Sequence, residues 1–263
     1  MARKVSWCAA ACHVRSILVI PGLLAASIGA LHAQDPFEIH VLEYEESGPG
    51  EFTFENHTNY SGGDRTLHLT YELTAGVTEN VSLGVMQLNA RLPGGPLESA
   101  GWRITPHLYT PRAWHWPVDT GVTTEISFQS ARWAADSRSI EIIPIVEKRF
   151  GRIQVDLNPS FGRALHGPGT AQGWAFGLAA RASVDLRKRF TPAIEYYSDW
   201  GRLPGFAPLD AQVHQVLPGG DFRFSKNVVW STGVGIGTTP AGNRLVYKSR
   251  LEILFGGRHK PRH

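Results

Sequence analysis

The chain has 263 residues, with 26 Lys or Arg, 23 Asp or Glu and two cysteines. Three of the basic residues and none of the acids lie in the first 33 positions, so the remainder carries 23 of each sign. That balance excludes the basic footprint of a nucleic-acid binder. No later run of about 18 apolar residues supplies a membrane-spanning helix.

Arg3, Lys4 and Arg15 flank an apolar run from Ile17 to Ala30, and Leu31-His32-Ala33 ends on a small residue. This order reads as a secretory signal peptide over residues 1–33, cut after Ala33. The run is broken by Pro21-Gly22 and is short for the ~20 residues of a transmembrane anchor. Both Cys8 and Cys12 fall in this leader, and neither ends the apolar run. The mature chain therefore has no thiol for a disulfide, a metal or a nucleophile, and no lipoprotein anchor.

Residues 34–50 are acidic and aromatic, with Phe37, Glu38, Glu43, Glu45 and Glu46, and Pro49 with its neighbouring glycines cuts them off. An N-terminal periplasmic or plug-like segment is expected there, followed by a barrel over 51–255 and a basic tail over 256–263. From Glu51 onward the chain alternates two by two, the period of a strand.

The first strand sets Phe52 and Phe54 against Glu55 and His57; the second sets Leu67, Leu69, Tyr71 and Leu73 against His68, Thr70 and Glu72. Val81, Leu83 and Val85 point outward on the third. On the fourth, Trp102, Ile104 and Leu108 oppose Arg103 and His107. The fifth pairs Val122, Ile126 and Phe128 with Glu125, and the sixth turns Ile140, Ile142 and Val146 away from Glu141 and Glu147. Strands seven and eight are the most regular, with Asp156 and Arg181 on their polar faces. The ninth carries Glu195, and the tenth Asp221 and Arg223. The last hairpin, Asn227 to Phe255, puts Val228, Trp230, Val234, Ile236, Tyr247, Leu251 and Ile253 on one face. Lys248, Arg250 and Glu252 lie on the other.

Apolar residues on one face and charges on the other, over twelve strands, predict an all-β chain. Its fold is a transmembrane antiparallel up-and-down β-barrel, greasy outside and wet inside, with the even strand count of bacterial barrels. Connections alternate between short (147–151, 186–189, 225–227) and long (92–100, 163–173, 201–212), as periplasmic turns and external loops would. Trp200, Tyr196 and Tyr197 mark one aromatic rim; Trp230, Phe224, Phe190 and Phe150 mark the other. Pro106, Pro144, Pro159, Pro192 and Pro218 fall inside predicted strands and count against the register, because proline removes a ladder donor.

The lumen-facing charges are the candidate selectivity residues: Glu72, Arg103, Glu125, Glu141, Asp156, Arg181, Glu195, Asp221, Arg223, Lys248, Arg250 and Glu252. Either they line a water-filled path, or they neutralise one another across neighbouring strands and fill the barrel, as in narrow barrels. A rim-sited hydrolase is the rival from another class, with Ser61, Asp64, His57 and His68 near the first external loop. No GxSxG elbow accompanies them. The eleven histidines show no HxH or HExxH spacing, so neither metal nor cofactor is expected.

Glu195-Tyr196-Tyr197, Asn158-Pro159-Ser160-Phe161, His214-Gln215-Val216-Leu217-Pro218 and Gly233 to Pro240 followed by Asn243-Arg244-Leu245 resemble a bacterial family. It is the meta-pathway of phenol degradation family of predicted outer-membrane transporters. The resemblance implies an outer-membrane barrel passing small hydrophobic or aromatic compounds, and it transfers no catalytic residue. The expected function is passage of small molecules across the bacterial outer membrane. A closed structural or interaction barrel and a rim hydrolase are the alternatives. Expected partners are outer-membrane lipid, a small-molecule solute, and the outer-membrane assembly machinery through a last strand ending at Phe255, with no nucleic acid.

Overall fold

In the computed structural model, which describes residues 35–45, 47–186 and 189–256, twelve strands close into one antiparallel barrel. They are β1 (Glu51–Ser61), β2 (Thr66–Thr78), β3 (Val81–Arg91), β4 (Glu98–Tyr109), β5 (Asp119–Gln129) and β6 (Arg138–Phe150). Then come β7 (Ile153–His166), β8 (Ala175–Val184), β9 (Phe190–Arg202), β10 (Val213–Ser225), β11 (Val228–Gly237) and β12 (Val246–Gly256). Each strand pairs with its sequence neighbours, and β1 closes on β12 from Glu51↔Gly256 to Ser61↔Val246. The expected signal peptide (1–33) and most of the basic tail lie outside the described residues.

Burial is inverted relative to a water-soluble protein. Leu73, Leu83, Val85, Trp102, Leu108, Ile194 and Ile236 are exposed, while Glu55, Glu72, Arg103, Asp156, Arg181, Lys248 and Glu252 are buried. Large exposed apolar side chains on every second residue make the lipid-facing band of a transmembrane barrel. Among the described residues no helix is long and apolar enough to cross a membrane. The crossing is made by strands.

The two ends differ. At one, the connections are 79–80, 110–118, 151–152, 185–189 and 226–227; at the other they are 62–65, 92–97, 130–137, 167–174, 203–212 and 238–245. The short-turn end has one long member, 110–118, which holds a 3₁₀ turn at Arg112–Trp114. Aromatics collect at both ends on the outer wall. Phe190, Phe222 and Trp230 stack near the short turns; Phe176, Trp200 and Phe206 pack near the long loops.

All five strand prolines sit within strands without shifting the register. Pairing between β4 and β5 runs to Ile104↔Ile126 and resumes at His107↔Thr123; between β6 and β7 it skips from Ile142↔Phe161 to Val146↔Leu157. Likewise β10 and β11 pair at Val216↔Ile236 and again at Gly219↔Gly233. The missing donors produce local gaps in one ladder, and the pairs on either side hold the alignment. The expectation that these prolines weaken the strand register is corrected on this point. Tyr197 is a second correction: it points into the lumen, where it is buried, and not to an interfacial rim.

A candidate channel lumen filled by the N-terminal segment

Residues 35–45 run inside the barrel, and neither they nor residues 47–50 join the sheet. After a turn at Pro36 and Phe37 the segment is extended, so Ile39 and Val41 fall on one side; they and Phe37 are buried. Phe37 packs on Met86, Leu88, Ala90 and Ala100; Ile39 and Val41 pack on Tyr197, Leu217 and Val246. The first group lies where β3 and β4 approach loop 92–97. Tyr44 meets the opposite end, its hydroxyl donating to the Thr110 carbonyl at 2.6 Å. The segment therefore spans the lumen from the long-loop end to the short-turn end.

Lacking a ladder, its backbone must find other partners, since buried amide groups are costly when unpaired. Side chains of the wall supply them. Asn158 both accepts from the Leu42 N–H (2.7 Å) and donates to the Leu42 carbonyl (3.0 Å). Thr70 donates to the Phe37 carbonyl (2.9 Å), Asn59 donates to that of Pro36 (3.1 Å), and the Tyr44 N–H donates to Glu147 Oε2 (3.0 Å). Gly76 makes room where the segment turns into β1, since a Cβ there would collide with the carbonyls of Ser47 and Gly48.

The lumen charges form three networks. In the first, Arg103 contacts Glu125 (2.7 Å), Glu38 (3.0 Å) and Asp35, while its Nε donates to Ser127 (2.9 Å). Glu141 stands beside it as the cross-strand neighbour of Glu125. In the second, Arg181 binds Glu43 and Asp221, with Asp156 at 3.8 Å and Glu195 at 3.7 Å. Lys248 donates to both oxygens of Glu195, at 2.7 and 2.6 Å, and the Tyr197 hydroxyl donates to the same carboxylate (2.8 Å). In the third, Arg250 reaches both oxygens of Glu55 (3.1 and 3.2 Å) and lies 3.3 Å from Glu252. His57 Nε2 lies 3.0 Å from Glu55 and 3.8 Å from Glu72. Gly84 gives Glu72 its space, because a Cβ there would meet Glu72 Oε1.

Eleven of the twelve sequence-derived candidates thus meet in or beside these networks. Arg223 does not: it follows Asp221 on the same face, nearer the short turns, and is exposed. Of the two lumen readings, mutual neutralisation describes these ion pairs. Buried charges paired in this way offset their desolvation. The hydrolase set does not assemble. His57 is held among carboxylates, and Asp64 accepts from the Thr66 N–H instead of orienting a histidine.

Glu55, His57 and Glu72 each bring one potential metal-ligand atom within 4.8 Å of the others. Arg250 already occupies Glu55, and the Thr74 and Thr105 hydroxyls donate to Glu72, so the group is compensated by its own neighbours.

Two sets of residues were not among the candidate site residues: the segment carboxylates Asp35, Glu38 and Glu43, and the inward apolar residues Met86, Leu88, Ala90, Ile143, Ile145 and Leu217. β3 held the available signal, because Met86, Leu88 and Ala90 set three apolar side chains in a row on the face opposite Val81, Leu83 and Val85. A lumen-facing apolar stripe needs something apolar to cover it.

No family model and no curated protein matches the sequence. Among solved structures the chain is similar to an outer-membrane channel from Pseudomonas putida F1, with a TM-score of 0.61 at 13% identity over 83% of this chain and 100% of that one. It is also similar to the NanC porin, with a TM-score of 0.57 at 5% identity over 78% of this chain and 100% of that one. Identities this low establish a shared fold: that of outer-membrane barrels.

Proposed function

We propose that this protein is an outer-membrane channel for small molecules, exported by the leader 1–33 and closed at rest by its own residues 34–50. The observation that carries the reading is the segment itself. It lies extended along the lumen, bound through side chains that can release it without opening a single ladder. The wall charges Glu72, Glu125, Glu141, Asp156, Glu195, Asp221 and Glu252, with Arg103, Arg181, Lys248 and Arg250, set selectivity once the path opens. Arg223 acts at the mouth. Acids outnumber bases on this wall, which favours cations and polar solutes. The family resemblance adds small hydrophobic or aromatic compounds to the solute range. Phe255, at the end of β12 and stacked on Phe52, is the residue that the assembly machinery would read.

A closed structural barrel is the second reading, favoured by the paired charges of the filled lumen. Planar-bilayer conductance of the mature protein, with and without residues 34–50, separates the two. Both proteins are first shown to be folded by heat-modifiable gel mobility. The channel reading expects rare openings from the full chain and stepwise, weakly cation-preferring current after deletion. Silence from both folded proteins would sink it in favour of the closed barrel.

A further inference from the structure

One aromatic ring of the segment occupies a seat made by the rest of the molecule. The Phe37 ring is buried among Met86, Leu88, Ala90 and Ala100, with Trp133 packed against the group. His68 meets the ring edge-on, with centroids 4.8 Å apart at 83°. Met86, Leu88 and Ala90 come from β3, Ala100 from β4 and His68 from β2, all ladder-bonded strands; Trp133 lies in loop 130–137. Apart from Trp133, the seat is built on laddered strands, and its occupant is not.

Its chemistry differs from the rest of the lumen, where inward positions are mostly charged or hydroxylic. Two alanines leave the space that the ring fills, and the edge-on imidazole is the arrangement that suits a π system. Loops 92–97 and 130–137 place the seat toward the long-loop end, the first part of the lumen met from outside. We propose that this seat is a binding site for small apolar ring compounds, which compete with Phe37 for it. A bound ring displaces Phe37 and loosens the part of the segment that carries Asp35 and Glu38 to Arg103. That consequence rests on the channel reading; the binding itself does not.

The test uses fluorobenzene as probe and the full mature chain in detergent, with binding followed by ¹⁹F NMR. In the native protein the seat is free only in the fraction of molecules with Phe37 unseated, which weakens apparent affinity by that fraction. Phe37→Ala removes the competitor and leaves a dry apolar cavity of the kind that accepts benzene. The variant should bind about tenfold or more tightly than the native protein, and adding Ala100→Phe should abolish binding. Residues 34–263 contain no cysteine, so Ile39→Cys in the otherwise native chain reports unseating, and fluorobenzene should speed its maleimide labelling.

No saturable binding to Phe37→Ala, or equal affinity in the native protein and Phe37→Ala, would overturn the site. The contrast between those two proteins decides the matter even if the Ala100→Phe variant does not fold. Binding with a silent bilayer keeps the seat and removes the channel; conduction without binding does the reverse.

Discussion

The wall and the segment inside it are both extended chain, yet they are held by different forces. Each strand of the wall is hydrogen-bonded to two neighbours, and the closed ring leaves no edge. The segment has none of this. Two apolar contacts, a few side-chain-to-backbone bonds and the cations Arg103 and Arg181 keep it in place. A wall cannot open locally without exposing backbone to lipid, where every polar group must be satisfied. A segment whose bonds to the wall each use a side chain, its own or the wall's, can exchange those partners for water without opening a ladder. The same extended geometry therefore gives a permanent structure in one place and, on the proposed reading, a removable one in the other.

The sharpest way to expose that difference is Arg103→Ala. It leaves Asp35, Glu38 and Glu125 clustered without their cation, and breaking a buried pair from one side costs about 3–5 kcal/mol. The expected outcome is loss of the seated segment with the barrel intact. Protease would cut within 35–50, open-channel current would appear and heat-modifiable mobility would be kept. If the whole barrel unfolds instead, the segment is part of the wall's stability and the contrast fails.

Val85→Arg strikes the other side. Val85 is 43% exposed near the middle of β3, and a charge there faces lipid at a cost of about 2–4 kcal/mol. Denaturant unfolding in liposomes should show that loss, while the current of folded molecules stays as in the native protein. A changed current at unchanged stability would mean that the outward assignment of Val85 is wrong.

Tyr44→Phe makes the smallest change. It removes the hydroxyl bond to Thr110 and keeps both the ring contact with Tyr109 (5.1 Å) and the Arg112 guanidinium over the ring (4.8 Å). One hydrogen bond is worth about 0.5–1.5 kcal/mol, so opening frequency should rise by severalfold up to about tenfold with unitary conductance unchanged. No change in frequency would show that the short-turn end of the segment does not hold it shut.

The barrel was legible in the sequence because its cause is local. Successive side chains of a strand point to opposite faces, so lipid outside and water inside write themselves as alternation. That pattern carried the strand count and the inward charges, from Glu72 through Glu252. The prolines misled because sequence shows a missing donor but not the intact pairs on either side of it. Tyr197 misled because an aromatic near a strand end suits an interface until an apolar partner appears within the lumen.

Residues 35–50 mark the boundary of what local pattern reveals. Their acids were visible, and a plug-like role was among the expectations. Which wall residues receive them was not. Asp35 meets Arg103 across 68 positions of sequence, and Glu43 meets Arg181 across 138. By itself the sequence determined the twelve strands and the facing of their side chains, because both follow from the pleat and from two solvents of opposite polarity. The tertiary structure alone decided which charges neutralise which, and what covers the apolar stripe of β3. Those outcomes depend on distances between residues that only barrel closure brings together.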